Sequence, residues 1–352
     1  MIIPTEPIGS IPRPLRLIEA LAKMPCDDPA LDPLYEEAIR DTIACFEATG
    51  SPVITDGEQR KYHNFGTYCV DGLPNLAPDG FRLPFVSHTR RWPRLTSGPF
   101  RYCRSADCFL DFARPFTDRP LKQAVISPSA LGLMYPAAGI AGYPREEFID
   151  DLLREHEREV RACLTKGASS VQVDFTEGRL AIKIDPSGEL LNRFIELNNM
   201  ALARFTAEER TRIGVHTCPG ADRDSTHSAE VDYAELLPSL FELDAGVFYV
   251  ALAREKERTR LLRIIRQHLK PEQRVFIGVV DPIDPQVETA EEIRDRVLEA
   301  AVYIPLDQLG TTDDCGFSPF SDDTSTTRDL AFAKIRARVE GTALAAEKLG
   351  GG

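Results

Sequence analysis

Arg212-Ile-Gly-Val-His-Thr-Cys-Pro-Gly220 is an apolar, β-rich run that ends on an imidazole and a thiol, His216 and Cys218, before a Pro-Gly turn. Two positions apart on an extended chain, those side chains point to the same side and can grip one ion. Much later, Asp314-Cys315-Gly-Phe317 ends a similar run. One imidazole and two thiols delivered from strand ends are a natural set of zinc ligands, provided the fold lets those ends meet.

Short apolar runs of the same kind recur at 2–9, 52–56, 123–127, 170–174, 213–216, 247–251, 275–280 and 306–310. Between most of them lie amphipathic helical stretches. Residues 145–166 place Phe148, Leu152, His156, Val160 and Cys163 on one face, residues 289–301 start on a Thr before Glu-Glu, and residues 255–269 form another. Eight β-α units with no edge strand left over predict an α/β fold of one (β/α)8 TIM barrel, spanning 1–352, rather than an open doubly wound sheet. A dinucleotide-binding reading also lacks its glycine fingerprint after the first strand. The one irregular spacing is 60–121, a long insertion between strands 2 and 3 that carries Tyr62, Phe65, Tyr68, Phe81, Trp92 and Phe100, with Arg90 and Arg91 beside the single Trp. It reads as a lid over the barrel mouth, an oligomer contact, or a hairpin packed on the barrel's side.

The chain has 352 residues, 43% hydrophobic and 28% charged, as expected of a globular protein with a large core. A net charge of -13 argues against a nucleic-acid surface, which needs dense Lys and Arg to neutralise phosphates. The start, Met-Ile-Ile-Pro-Thr-Glu-Pro, has no basic region leading into an apolar one, and no apolar stretch is long enough to span a membrane. Cytoplasmic location is the expectation. Eight cysteines without secretory signals read as reduced thiols, and Cys26, Cys45, Cys69, Cys103, Cys108 and Cys163 have no metal-like spacing.

Placed on this map, Ser10, Glu58, Ser127, Asp174, His216, Cys218, Arg254, Asp281 and Cys315 all fall at or just past strand C-terminal ends. In an α/β barrel those ends form the face where active sites lie. A turn role explains Asp281, which precedes Pro282, as well as a catalytic one does. Asp185, Asp313, Asp322 and Asp323 read as solvated turn residues, and His227, well past its strand, as a surface residue rather than a competing ligand. Two thiolates and a neutral imidazole cancel much of a zinc ion's charge, so a substrate thiol taking the fourth position would be ionised yet still nucleophilic. The chemistry implied is alkylation of a thiol.

The ordered segments Ile8-Gly-Ser-Ile-Pro-Arg-Pro14, Asp56-Gly-Glu58, Val171-Gln-Val-Asp174, His216-Thr-Cys218 and Asp314-Cys315-Gly316 resemble the catalytic, C-terminal barrel of cobalamin-independent methionine synthase. That family sits in a wider group with uroporphyrinogen decarboxylase and epoxyalkane:coenzyme M transferase. The resemblance implies that His216, Cys218 and Cys315 bind Zn2+. It also implies that Ile8, Ser10, Glu58 and Asp174 hold the amino-acid part of a homocysteine-like thiol, Glu58 and Asp174 suiting an ammonium and Ser10 a carboxylate.

Two positions depart from the family. Ala251 stands where the family has a zinc-ligating Glu, so water, substrate sulfur or Asp222 is left to fill the fourth position. After the seventh strand, where the family has a His that protonates a folate leaving group, this chain reads Val280-Asp-Pro-Ile-Asp-Pro285, with Asp281 or Asp284 as substitutes. The chain also carries one barrel rather than the two of full-length synthases, which counts against polyglutamyl folate as donor. The expected protein is therefore a zinc enzyme that moves a methyl or other alkyl group onto a small thiol. His216, Cys218 and Cys315 hold metal. Ile8, Ser10, Glu58, Ser127 and Asp174 orient the acceptor, and Arg254 and Asp281 face the donor. Thiol addition to another electrophile, such as an epoxide, and a noncatalytic thiol- or metal-binding barrel remain as alternatives.

Overall fold

Six apolar runs become six parallel strands in the computed structural model: β1 (Lys122–Ile126), β2 (Ser170–Asp174), β3 (Ile213–Thr217), β4 (Val247–Val250), β5 (Arg274–Val280) and β6 (Leu309–Asp313). The structure describes residues 2–351 except 62–63, 86–88 and 221–225. The strands lie in sequence order, each beside its predecessor. Every strand is buried along nearly its whole length, which is why these stretches read as unbroken apolar runs. Register carries the functional ends into line: Ile126 pairs with Asp174, and Asp174 with His216.

Two expected strands are reduced to single bridges. Thr5 of 2–9 pairs in parallel with Thr311 of β6, and Ile54 of 52–56 with Leu121, next to β1. Pro4, Pro7 and Pro52 explain this, because proline donates nothing to a ladder. The two segments also reach each other: Ile11 N–H donates to Gly57 O at 3.0 Å and Thr55 Oγ1 to Gly9 O at 2.7 Å. The last strand lies at Leu309–Asp313 instead of 306–310. Its buried Thr311, Thr312 and Asp313 are polar residues that sequence patterning assigns to a loop.

Helices fill the gaps between strands, led by α1 (Asp32–Ala48), α2 (Arg145–Thr165), α3 (Glu177–Ile184), α4 (Glu189–Leu202), α5 (Tyr233–Leu240), α6 (Arg258–His268), α7 (Ala290–Ala301) and α8 (Arg328–Gly350). In α2 the expected apolar face is the buried one, Phe148, Leu152, His156, Val160 and Cys163 included. Thr289 caps α7 through a capping box with Glu292, as the Thr-x-x-Glu spacing predicts. None of these helices is long and apolar enough to cross a membrane, among the described residues. Asp313, expected in a solvated turn, is instead buried at the end of β6 and paired with the equally buried Arg338 of α8 at 3.1 Å. A buried carboxylate at this site persists because a guanidinium meets it.

The 60–121 stretch folds into two short antiparallel pairs, Arg82–Pro84 with Thr89–Arg91 and Leu76–Ala77 with Arg94–Leu95, followed by a helix at Asp107–Ala113. It is tied to the loop after β6 where Asn64 bridges Phe320 and Phe65 N–H donates to Pro319 O at 3.2 Å. Tyr62 lies outside the described residues.

Candidate metal centre and adjoining cavity

β3 ends in His216 and Thr217 with Cys218 just beyond, and Cys315 follows β6 by two residues. Strands three apart in the sheet thereby deliver His216, Cys218 and Cys315 to one place, their ligand atoms within 4.8 Å of one another and all three residues buried. The cysteine sulfurs are in contact across a Cα–Cα separation of 5.9 Å, a distance that suits a disulfide or two thiolates on one ion. The imidazole favours the ion. His216 Nδ1 lies 3.0 Å from Asp174 Oδ1, while Nε2 is buried with no hydrogen-bond partner among the described residues. An orphaned ring nitrogen beside two thiols, with its other nitrogen held by a carboxylate, is the arrangement of a metal-ligating histidine. The residues fit zinc. Ala251, one residue past β4, clusters with the two cysteines and offers no ligating atom. Asp222, the acidic neighbour considered for that place, lies outside the described residues.

Asp314 fixes the loop opposite. Its carboxylate accepts from the backbone N–H groups of Leu252 and Ala253, both at 2.7 Å, and Arg254 at 2.9 Å. One side chain thus holds the end of β4 against Cys315. Gly278 makes room for it, since a Cβ there would sit 1.8 Å from Asp314 Oδ1.

Beside the thiols opens a cavity of about 300 Å³. Ile8, Ser10, Glu58 and Asp174 line it together with His216, Cys218 and Cys315. Ser10 is set by the last loop, for Ser318 N–H donates to its Oγ at 3.2 Å. Gly316 passes so close that a Cβ would lie 2.0 Å from that oxygen. Glu58 adopts φ +58°, a conformation costly for a residue with a side chain. Asp56 Oδ1 accepts its N–H at 2.8 Å and Gly57 supplies the left-handed turn before it. Behind Glu58, fully buried Lys61 donates to Oε1 at 3.1 Å. Burial pushes the Glu58 carboxyl up, and the Lys61 ammonium pulls it back down. Asp174 is engaged by His216 and by Gln172 Nε2 at 2.8 Å, so its first task is to orient the imidazole.

The remaining wall is apolar and comes largely from the 60–121 stretch: Phe65, Leu83, Phe85 and Trp92 meet Phe320 and Leu180. Arg90 stacks over Phe320 with its guanidinium carbon 3.7 Å from the ring centroid. His227, expected at the surface, is half-buried in this wall, its ring 6.0 Å from Phe85 and Nδ1 2.9 Å from Ser228 Oγ. Burial lowers its pKa to about 4, so it is neutral at physiological pH.

Four sequence candidates lie elsewhere. Ser127 is completely buried and caps the helix Pro128–Gly132, so it faces no ligand. Asp281 Oδ1 accepts from Ile283 N–H at 2.9 Å and Asp284 Oδ1 from Gln286 N–H at 2.9 Å, which are turn roles, and neither residue lines the cavity. Arg254 does not line it either. Sequence reasoning missed Glu177, a cavity residue that opens α3 just after Asp174 ends β2. Its place three residues past a strand end was the available signal.

Fold and ligand set define an α/β protein with a thiol–imidazole centre at the C-terminal edge of a parallel sheet. The chain belongs to the family described as the catalytic domain of cobalamin-independent synthase, whose model matches residues 3–339. It is 24% identical over 322 residues to the 5-methyltetrahydropteroyltriglutamate--homocysteine methyltransferase of Nitratidesulfovibrio vulgaris, covering 89% of this chain and 38% of that one. A methionine synthase of Saccharolobus solfataricus is 24% identical over 363 residues, covering 99% and 96%. The chain thus spans about two fifths of the first of these curated relatives and nearly all of the second. Among solved structures, a B12-independent methionine synthase from Shewanella sp. W3-18-1 in complex with selenomethionine superimposes with TM-score 0.78 at 20% identity over 100% of both chains, a likeness of fold.

Proposed function

We propose that this protein transfers a methyl group to the sulfur of a small thiol of homocysteine type, using zinc held by His216, Cys218 and Cys315. The observation that carries the reading is the meeting of those three side chains, from the third and sixth sheet strands, at a cavity that also holds Ser10, Glu58 and Asp174. A zinc ion there would lower the pKa of a thiol that takes the remaining position, keeping its sulfur nucleophilic at neutral pH.

The protein's own groups do the rest. Asp174 accepts from His216 Nδ1 and so leaves Nε2 for metal. Glu58, held by Lys61, and the open face of Asp174 receive the acceptor's ammonium, while Ser10 donates to its carboxylate and Ile8 packs against its chain. The apolar wall from 60–121 excludes water from the transfer and serves as a roof. On this reading the bridges at Thr5 and Ile54 and the contacts between their segments close the six strands into an eight-membered (β/α)8 barrel. The likeness in fold to the Shewanella synthase supports that closure.

Zinc analysis with a thiol-methylation assay tests the proposal. Parent protein is expected to hold one zinc and to methylate homocysteine, whereas Cys218→Ala and Cys315→Ala lose both properties. A variant of either kind that kept full zinc would overturn the ligand assignment. Consumption of the thiol by an epoxide but by no methyl donor would replace methyl transfer with thiol addition.

A further inference from the structure

Glu177 stands at the N-terminus of α3, 5% exposed, in the wall of the cavity. Its two oxygens live in different surroundings. Oε1 accepts from the hydroxyls of Ser127, at 2.5 Å, and of Ser129. Those hydroxyls are themselves fixed, Ser127 Oγ receiving Ala130 N–H at 3.1 Å and Ser129 Oγ receiving Asn198 Nδ2 at 2.8 Å. Oε2 is buried and has no hydrogen-bond partner among the described residues. A buried carboxylate oxygen without a donor is costly unless it carries a proton and gives it to something.

From this geometry, and resting on the methyl-transfer reading above, we infer that Glu177 is the general acid of the reaction, delivering a proton from Oε2 to the atom from which the methyl group departs. The acceptor enters as a thiolate, its proton already released. Its sulfur bonds to the methyl carbon, the bond from that carbon to the donor heteroatom breaks, and the electron pair stays on the heteroatom. That atom takes the Glu177 proton, leaving a carboxylate held by Ser127 and Ser129 until solvent reprotonates it. The donors served are those whose leaving atom is a basic nitrogen or oxygen. A sulfonium departs as a neutral sulfide and needs no proton.

The other polar groups of the wall are committed differently. Glu58 is tied to Lys61 and Asp174 to His216. His227 holds no proton to give at neutral pH, since its pKa lies at about 4. Arg90 and Arg91 also line the wall, from the 60–121 stretch. Burial pushes the Glu177 carboxyl up to about 7, the serine hydroxyls pull it down, and the Asp174 charge adds to the rise. An acid poised near the working pH is the efficient one. Asp281 and Asp284, the sequence candidates for this task, do not line the cavity. Ser127 enters the site through Glu177, as a positioning residue.

The test is single-turnover methylation of homocysteine by zinc-loaded protein, with 5-methyltetrahydropteroyltriglutamate as tertiary-amine donor and trimethylsulfonium as proton-independent donor. With the amine donor, Glu177→Gln is expected to be slower by about 10²–10⁴-fold. The parent's rate falls as pH rises through about 7, and the variant lacks that break. With the sulfonium the deficit shrinks at least tenfold by the same logic. Infrared difference spectra supply a readout apart from turnover: a protonated-carboxyl band that titrates with the same midpoint and is missing in Glu177→Gln. Zinc content and homocysteine affinity, equal in both proteins, show that the variant is folded. Equal losses with both donors, an unchanged pH profile, or a parent that uses only the sulfonium would overturn the inference. A parent that uses neither donor would overturn the methyl-transfer reading instead, whatever the infrared titration shows.

Discussion

Lys61 is expected to be among the most sensitive positions in the protein, although it does not line the cavity itself and reaches it only through Glu58. It is 1% exposed, and its ammonium lies 3.1 Å from Glu58 Oε1. At that distance and an effective dielectric near 20, the attraction is about 5 kcal/mol. Much of this offsets the desolvation of two buried charges, so the informative quantity is the effect of removing one partner. Lys61→Met leaves a carboxylate buried without its counter-ion, which costs about 3–5 kcal/mol. The loss has a pH signature. Burial already raises the Glu58 pKa above its ordinary value, and removing Lys61 raises it further. A carboxyl whose folded pKa is raised stabilises the protein fully only below its unfolded pKa, and that stability is lost as pH rises through the folded one. Lys61→Met should therefore be weakest at neutral pH and recover as pH falls toward the ordinary carboxylate range. Urea unfolding of Lys61→Met, Glu58→Gln and the double variant at neutral and mildly acid pH measures this. The double variant should be less damaged than Lys61→Met, because no charge is left alone. A Lys61→Met loss within the 0–1 kcal/mol or so of an exposed pair, or one that grows on acidification, would refute the reasoning.

Two further outcomes follow from the site. Asp174→Asn keeps the shape but weakens the hold on His216 Nδ1, so zinc affinity measured by chelator competition should drop about 10–100-fold. Unchanged affinity would mean the Asp174–His216 contact at 3.0 Å does not orient the ligand. Gly316→Ala places a methyl where only 2.0 Å separates it from Ser10 Oγ, and overpacking of this kind costs about 1–3 kcal/mol. Calorimetry should find homocysteine binding weakened in that variant more than zinc binding, and the reverse order would remove Ser10 from the acceptor site.

Much of the site was readable from the chain because strand ends announce themselves. His216, Cys218 and Cys315 each terminate an apolar run, and these are the residues that meet within 4.8 Å. The same rule overreached at Asp281 and Ser127, where a polar residue past a strand serves its own turn or cap. It also misread Asp313, whose partner Arg338 arrives from a helix 25 residues later, a pairing that local pattern does not encode. At 2–9 and 52–56 the apolar content points to full strands, but the prolines within them reduce each to a single bridge.

By itself, then, the sequence determined the parallel α/β order and the placing of one imidazole and two thiols at or just past strand ends, because these depend on residue type and on spacing within one element. Only the tertiary structure decided which side chains share the cavity. It brought aromatic residues of the 60–121 stretch into the cavity wall, set Lys61 behind Glu58, turned His227 inward, and left Glu177 with one oxygen hydrogen-bonded and the other without a partner among the described residues. Those outcomes turn on which groups lose water together, and burial is a property of packing between distant segments rather than of any one of them.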